Sequence, residues 1–253
     1  MQSSAPHIFD KYKAATTEVV GSLSKTQAIK LSRHPELGLI TPAKIGQLYA
    51  SLESDGWTNK SAGANWVWRY QDPGDTESDE VKLERAIAKP YETRWGCQMS
   101  TASGVEGRYL HRRRAIDLVR YLAPRSYAFV ELKTVSNNPL YAAFEILGYA
   151  LAYLHARANY WKGSGNHNVF DAEQIELTIL GPEKWYKFSE QGIEKAMDNG
   201  LAWLAKEITD SLNQFARAKV TGAPAFTLKF RTFPNDLDIN SAARSIHQSA
   251  EDW

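Results

Sequence analysis

The chain has 253 residues, 43% of them hydrophobic, which suits one large domain, or one domain plus a small accessory region, with a sizeable core. Its 30 basic and 29 acidic residues leave a formal charge of +1, which excludes a chain-wide basic footprint for nucleic acid and confines anion binding to a local patch. The single cysteine, Cys97, excludes an intramolecular disulfide and a cysteine-ligated zinc or iron–sulfur site within one chain.

The expected setting is reducing and cytoplasmic, with no membrane partner. The N-terminal stretch lacks the basic start and apolar run of a signal peptide. No apolar run approaches the roughly 18–20 residues needed to span a bilayer.

Residues 1–70 read as a polar, helical region packed on the core. Within it, Thr41 suits an N-cap, Pro42 the first helical position, and Ile45, Leu48, Tyr49 and Leu52 recur at helical spacing. Trp57, Trp66, Trp68 and Tyr70 then cluster near Lys60 and Arg69. Such aromatics either stack the bases of a single strand or plug the N-terminal region onto the core.

The main domain is expected over residues 71–234. It opens with the helix ESDEVKLERAIAKPY, acidic in its first turn and stopped at Pro90. Three strand candidates follow: WGCQMSTAS, then RRAIDLVRYL ending at Pro124, then YAFVELKTV ending in the turn signal SNNP. Pro139 opens a long helix with Phe144, Leu147, Leu151 and Leu154 on one stripe. A fourth strand spans Ile175 to Leu180, an amphipathic helix residues 189–217, and a fifth strand AFTLKFRTF. The tail, residues 235–253, reads as polar and frayed. A meander followed by a crossover helix predicts an α/β fold with a mixed central sheet flanked by helices.

Two strands carry acid where apolar residues are expected: Asp117 in the second and Glu131 in the third, with Lys133 two positions on. Alternation puts Glu131 and Lys133 on one face. A tight connection around Pro124 sets Asp117 on the adjacent strand, and cross-strand neighbours lie about 5 Å apart. Two such carboxylates repel unless a cation neutralises them, and oxygen ligands suit a hard ion, Mg²⁺ or Mn²⁺. The Leu132 backbone carbonyl is a further expected ligand. Lys133 can orient or deprotonate an attacking water or stabilise an anionic transition state, which suits phosphodiester hydrolysis. The alternative is a structural ion pair between Lys133 and either acid.

The element order and the spaced Asp…Glu-x-Lys set resemble the PD-(D/E)XK, or restriction-endonuclease-like, nuclease superfamily. The resemblance runs from about Leu83 to Leu180 in αβββαβ order. Ile116-Asp117 stands where the family has "PD", with Ile116 replacing the proline, and Glu131-Leu132-Lys133 where it has "(D/E)XK". The resemblance implies catalytic roles for Asp117, Glu131 and Lys133. It also implies an acid from the preceding helix, for which Glu84 is the candidate; the other reading is a Glu stabilising that helix's dipole. In the RecB-like branch the helix after the lysine carries Gln-x-x-x-Tyr. Here that helix has Glu145 and Tyr149, four apart on one face, so Tyr149 is either a substrate contact or a core aromatic.

Arg112, Arg113 and Arg114 precede Asp117, and alternation puts Arg113 on the Asp117 face. Arg112 and Arg113 are candidate phosphate ligands or a solvated strand entry. Gln98, on the strand before Asp117, is at most a substrate contact. The expected activity is therefore a Mg²⁺- or Mn²⁺-dependent nuclease acting on DNA before RNA, in defence or repair, with a homodimer or protein partner left open. The competing reading is a nucleic-acid- or partner-binding module on the same fold with little or no catalysis.

Overall fold

The computed structural model describes residues 8–34, 40–53, 66, 68, 70, 78–101, 115–135, 138–160, 169–191, 193–235 and 238–250. Three helices come first: α1 (Ile8–Val20), α2 (Lys25–Arg33) and α3 (Pro42–Glu53). Thr41 Oγ1 accepts the Lys44 N–H at 3.2 Å, the N-cap that its place before Pro42 predicts. Next come α4 (Asp79–Ala88), β1 (Trp95–Ser100), β2 (Ala115–Ala123), β3 (Ser126–Leu132), α5 (Pro139–Tyr160) and β4 (Gln174–Pro182). The chain continues through β5 (Lys187–Glu190), β6 (Ile193–Ala196), α6 (Asp198–Lys219), β7 (Ala225–Phe233) and α7 (Ile239–Ala250).

The central sheet has five strands in the order β1-β2-β3-β4-β7. The β1/β2 and β2/β3 pairs are antiparallel, whereas β3/β4 and β4/β7 are parallel. A two-residue turn joins β2 to β3, because Ala123 pairs with Ser126. Pro124 presets its first position, and Arg125 takes a left-handed φ of 60° at the second, where type II turns favour glycine. Arg125 Nε is fastened to the Asp171 carbonyl at 2.9 Å.

Helices cover both faces. On one, α1, α2, α3, α5 and α6 pack over Phe129, Ile175, Leu177, Ile179 and Phe226 in the main core. The N-terminal helices thus share that core, with Tyr12, Leu31, Ile45 and Leu48 all buried in it. Helix α5 lies between the sheet and these helices, which is why it is apolar on nearly every side. Trp66 is fully buried among the rings of Phe129, Tyr153 and Phe170. Trp68 donates its indole N–H to the Val119 carbonyl at 3.2 Å. Of the aromatic cluster, Trp66 and Trp68 are therefore plugs; Trp57 lies outside the described residues.

On the other face α4 and α7 cover Cys97, Leu118, Val130, Leu132 and Leu180. Residues 239–250 are thus a docked helix and not a frayed tail. Ile239, Ala242, Ala243 and Ile246 form a stripe at helical spacing, but two alanines give it little hydropathy. Asp238 Oδ1 accepts the N–H groups of Asn240 and Ser241, capping its start. Ile246 is fully buried, so Ile246→Ala is expected to cost about 2 kcal/mol or more, read as a lower urea midpoint.

The helix expected over residues 189–217 begins later, at Asp198, and runs to Lys219. Before it, β5 and β6 form a hairpin with Glu190 paired to Ile193. Gln191, in its turn, has a left-handed φ of 53°. No helix among the described residues is long and apolar enough to cross a membrane.

Candidate active site at the end of the third strand

Strand β3 is buried on both faces, because helices cover both sides of the sheet at its centre. Its last turn of alternation places Glu131 and Lys133 on the α5 face, and Lys133 Nζ donates to Glu131 Oε1 at 2.5 Å. From α5, Glu145 Oε2 approaches the same ammonium at 3.2 Å, an ion pair without hydrogen-bond geometry. Glu131 and Lys133 are 3% and 6% exposed, so this charge cluster is largely removed from water.

Asp117 meets β3 where the β2/β3 pairing ends. The last regular pair is Leu118 with Val130, so Asp117 and Glu131 are next in line. The Lys133 N–H points to β4, bonding the Leu180 carbonyl at 2.9 Å. The Leu132 N–H therefore points to β2, where Asp117 Oδ2 takes it at 2.9 Å in place of a backbone carbonyl. That substitution opens the ladder and holds the Asp117 carboxylate at the rim of the cluster, partly exposed.

On β1, Gln98 faces the same point: its neighbours Cys97 and Met99 pair with Leu118 and Ile116, which flank Asp117. Gln98 has a left-handed φ of 54°, unusual inside a strand. The consequence is an inversion of faces. Cys97 and Leu118 lie in the core under α4 and α7, whereas Met99 and Ile116 lie in the core under α5. The Gln98 side chain donates to Glu84 Oε2 on α4. Glu84 shares the buried side of α4 with Leu83, Ile87 and Ala88, and is 2% exposed. Backbone in this region costs of order 1–3 kcal/mol, and it recurs at sites where a side chain must be aimed.

The electrostatics follow from burial and crowding. Burial, reinforced by the charge of Asp117, pushes Glu84 up to about 9, against the Gln98 hydrogen bond. Burial pushes Asp117 up to about 7, against Lys133 and the Leu132 N–H. Burial, with Asp117 and Glu145 nearby, holds Glu131 well above the usual carboxylate range. For Lys133, burial acts downward, but Glu131, Glu145 and Asp117 outweigh it and hold the ammonium above its ordinary value. Among the described residues, the Lys133 ammonium thus lies among several carboxylates.

Among the described residues no group of three or more His, Cys, Asp or Glu side chains is placed to hold one metal ion. An ion here would take Asp117, Glu131, backbone carbonyls such as that of Leu132, and water. Mg²⁺ binds in that way, commonly through one or two carboxylates. The donor chemistry fits, since Glu131 Oε2 is buried without a hydrogen-bond partner.

Sequence reasoning thus anticipates Asp117, Glu131, Lys133 and Glu84 in one locality. Tyr149 is buried in the core cluster, at 4% exposure. Gln98 is turned toward Glu84. Arg112 and Arg113 lie outside the described residues. Glu80 is a residue that sequence reasoning missed: its Oε1 accepts the Thr134 N–H at 3.1 Å, and its charge raises both Glu84 and Asp117. The available signal was its position one helical turn before Glu84. On the α4 and α7 side, a groove of about 590 Å³ adjoins the cluster, with Leu83 and Thr134 among its walls.

No protein-family model, curated protein or solved structure matches this chain.

Proposed function

We propose that the chain is a Mg²⁺- or Mn²⁺-dependent phosphodiester hydrolase acting on nucleic acid, DNA before RNA. On this reading α4-β1-β2-β3-α5-β4 is a restriction-endonuclease-like αβββαβ core. One observation carries the proposal: buried carboxylates and the Lys133 ammonium converge where the β2/β3 pairing ends. A solvated salt bridge needs neither the burial nor the further carboxylates.

Asp117, Glu131 and the Leu132 carbonyl are the groups that would hold the cation. When bound, it supplies charge neutralisation at the scissile phosphate and activation of water. Lys133 faces the charge that develops on the phosphoryl oxygens in the transition state. Glu84, held by Gln98, adds a further carboxylate on the α4 side. Arg112 and Arg113, just before β2, are candidates for phosphates flanking the scissile bond.

Incubation with plasmid, linear duplex, single-stranded DNA and RNA, in Mg²⁺, Mn²⁺ or EDTA, tests this. DNA cleavage is expected with either cation and none in EDTA. In calorimetric titration Asp117→Asn is expected to bind the cation about tenfold or more weakly; equal affinity removes Asp117 from the cation site. Binding of nucleic acid without cleavage under any condition favours the non-catalytic binding module instead.

A further inference from the structure

Lys133 presents a conflict for a cation site. Its ammonium is hydrogen-bonded to Glu131 Oε1, on the same carboxylate whose other oxygen, Oε2, is the one open to an ion. A divalent cation and an ammonium on one carboxylate repel each other. So cation entry at Oε2 weakens the hold of Lys133 on Glu131 and favours its release. A lysine head at this depth cannot simply be left unpaired, because an uncompensated buried charge is strongly unfavourable. Glu145 lies 3.2 Å from the same ammonium, already an ion-pair partner but, at Oε2, short of hydrogen-bond geometry. It comes from α5, a different element, so it can keep Lys133 while β3 gives up Glu131 to the cation.

We propose that Glu145 is a positioning residue that receives the Lys133 ammonium when a divalent cation takes Glu131. The proposal rests on the cation reading of the site and adds an exchange of partners to it. Lys133 and the cation compete for Glu131, and Glu145 sets how costly that competition is. Glu145 is then neither a cation ligand nor a group in contact with substrate. Beyond the direct effect of its charge on Glu131 and Asp117, it acts on cation affinity through Lys133.

That last property makes a double-mutant cycle decisive. The readout is the affinity for Mg²⁺ and for Mn²⁺ by calorimetry, with no nucleic acid present, so it does not depend on activity. Glu145→Gln keeps the shape and removes the charge, and is expected to weaken cation binding by about tenfold, within the range of couplings between contacting residues. Lys133→Met removes the competitor and is expected to tighten cation binding. In the Lys133→Met background, Glu145→Gln is expected to change affinity by a factor at least about threefold smaller than in wild type, a coupling beyond the additivity of sites that do not interact. Glu145→Asp, which keeps the charge on a shorter arm, is expected to fall between wild type and Glu145→Gln. It also serves if the glutamine variant folds poorly.

Equal weakening by Glu145→Gln in both backgrounds overturns the proposal, because Glu145 would then act on the cation through its charge alone. Tighter or unchanged binding in Glu145→Gln overturns it as well, as does weaker binding in Lys133→Met. If the wild-type protein binds neither Mg²⁺ nor Mn²⁺, the cation reading fails and the exchange falls with it. Cation binding with a flat cycle overturns the exchange alone.

Discussion

Lys133→Ala is expected to cleave nucleic acid at least about a hundredfold more slowly than wild type at equal folded concentration, the size of loss seen when a transition-state donor is removed. Turnover and its ratio to the Michaelis constant should fall together, because the interaction is made in the transition state and not with bound substrate. Stability will fall as well. Without the ammonium, the buried Glu131 loses its hydrogen-bonded cation and lies near Glu145 with the shared ion-pair partner gone. A lower melting temperature therefore does not separate a catalytic lysine from a structural one, and the arginine variant does. Lys133→Arg can restore an ion pair with both glutamates, but a planar guanidinium stays charged and has the wrong shape for the role. The expected pattern is partial recovery of melting temperature with no recovery of rate. If Lys133 only ties β3 to α5, the alanine variant cleaves normally per folded molecule and arginine restores stability. Unchanged cleavage by Lys133→Ala ends the proposed mechanism.

What the sequence could convey here was parity and order. Alternation is enough to put Glu131 and Lys133 on one face, and Pro124 is enough to mark a tight turn that brings Asp117 alongside. The left-handed Gln98 has no such mark. Any residue can be forced into that region by its surroundings, so the inversion of faces between Cys97 and Met99 appears only in three dimensions. The β5–β6 hairpin was hidden because its strands have four residues each and adjoin a strongly amphipathic helix. Helix α7 was hidden because alanines make half of its buried stripe. The cross-element contacts of Glu145 and Glu80 were illegible for a related reason. Helical periodicity places each residue on a face of its own helix, but not against a particular strand end.

Without divalent cation, thermal stability is expected to fall as pH rises from about 7 to about 9. Glu84 is raised from an ordinary 4.5 to about 9, and Asp117 from 3.8 to about 7. Between the ordinary and raised values the folded protein holds protons that the unfolded chain has released. Raising pH then favours unfolding, and the stabilisation present below the ordinary values is lost as pH passes through the raised ones. Glu131, also held above its ordinary value, acts in the same direction, whereas the lowered groups act outside this window. Glu176 and Asp238 are lowered, so their effect lies below the usual carboxylate range, and His247 is lowered from 6.5. Each pKa unit corresponds to about 1.4 kcal/mol, and about 1 kcal/mol moves the melting temperature of a domain this size by roughly 2–4 °C. The expected loss is therefore on the order of several degrees. Asp117→Asn should reduce the loss and raise the melting temperature at pH 9, since it removes a repelling charge while keeping an oxygen for the Leu132 N–H. Mg²⁺ or Mn²⁺ should stabilise the wild type more at pH 9 than at pH 7, because cation and protons compete for the same oxygens. Scanning calorimetry at fixed ionic strength, with and without cation, reads all of these. A melting temperature that rises from pH 7 to 9 without cation would mean that these carboxylates are already neutralised by partners of their own, and the site would have no need of a metal.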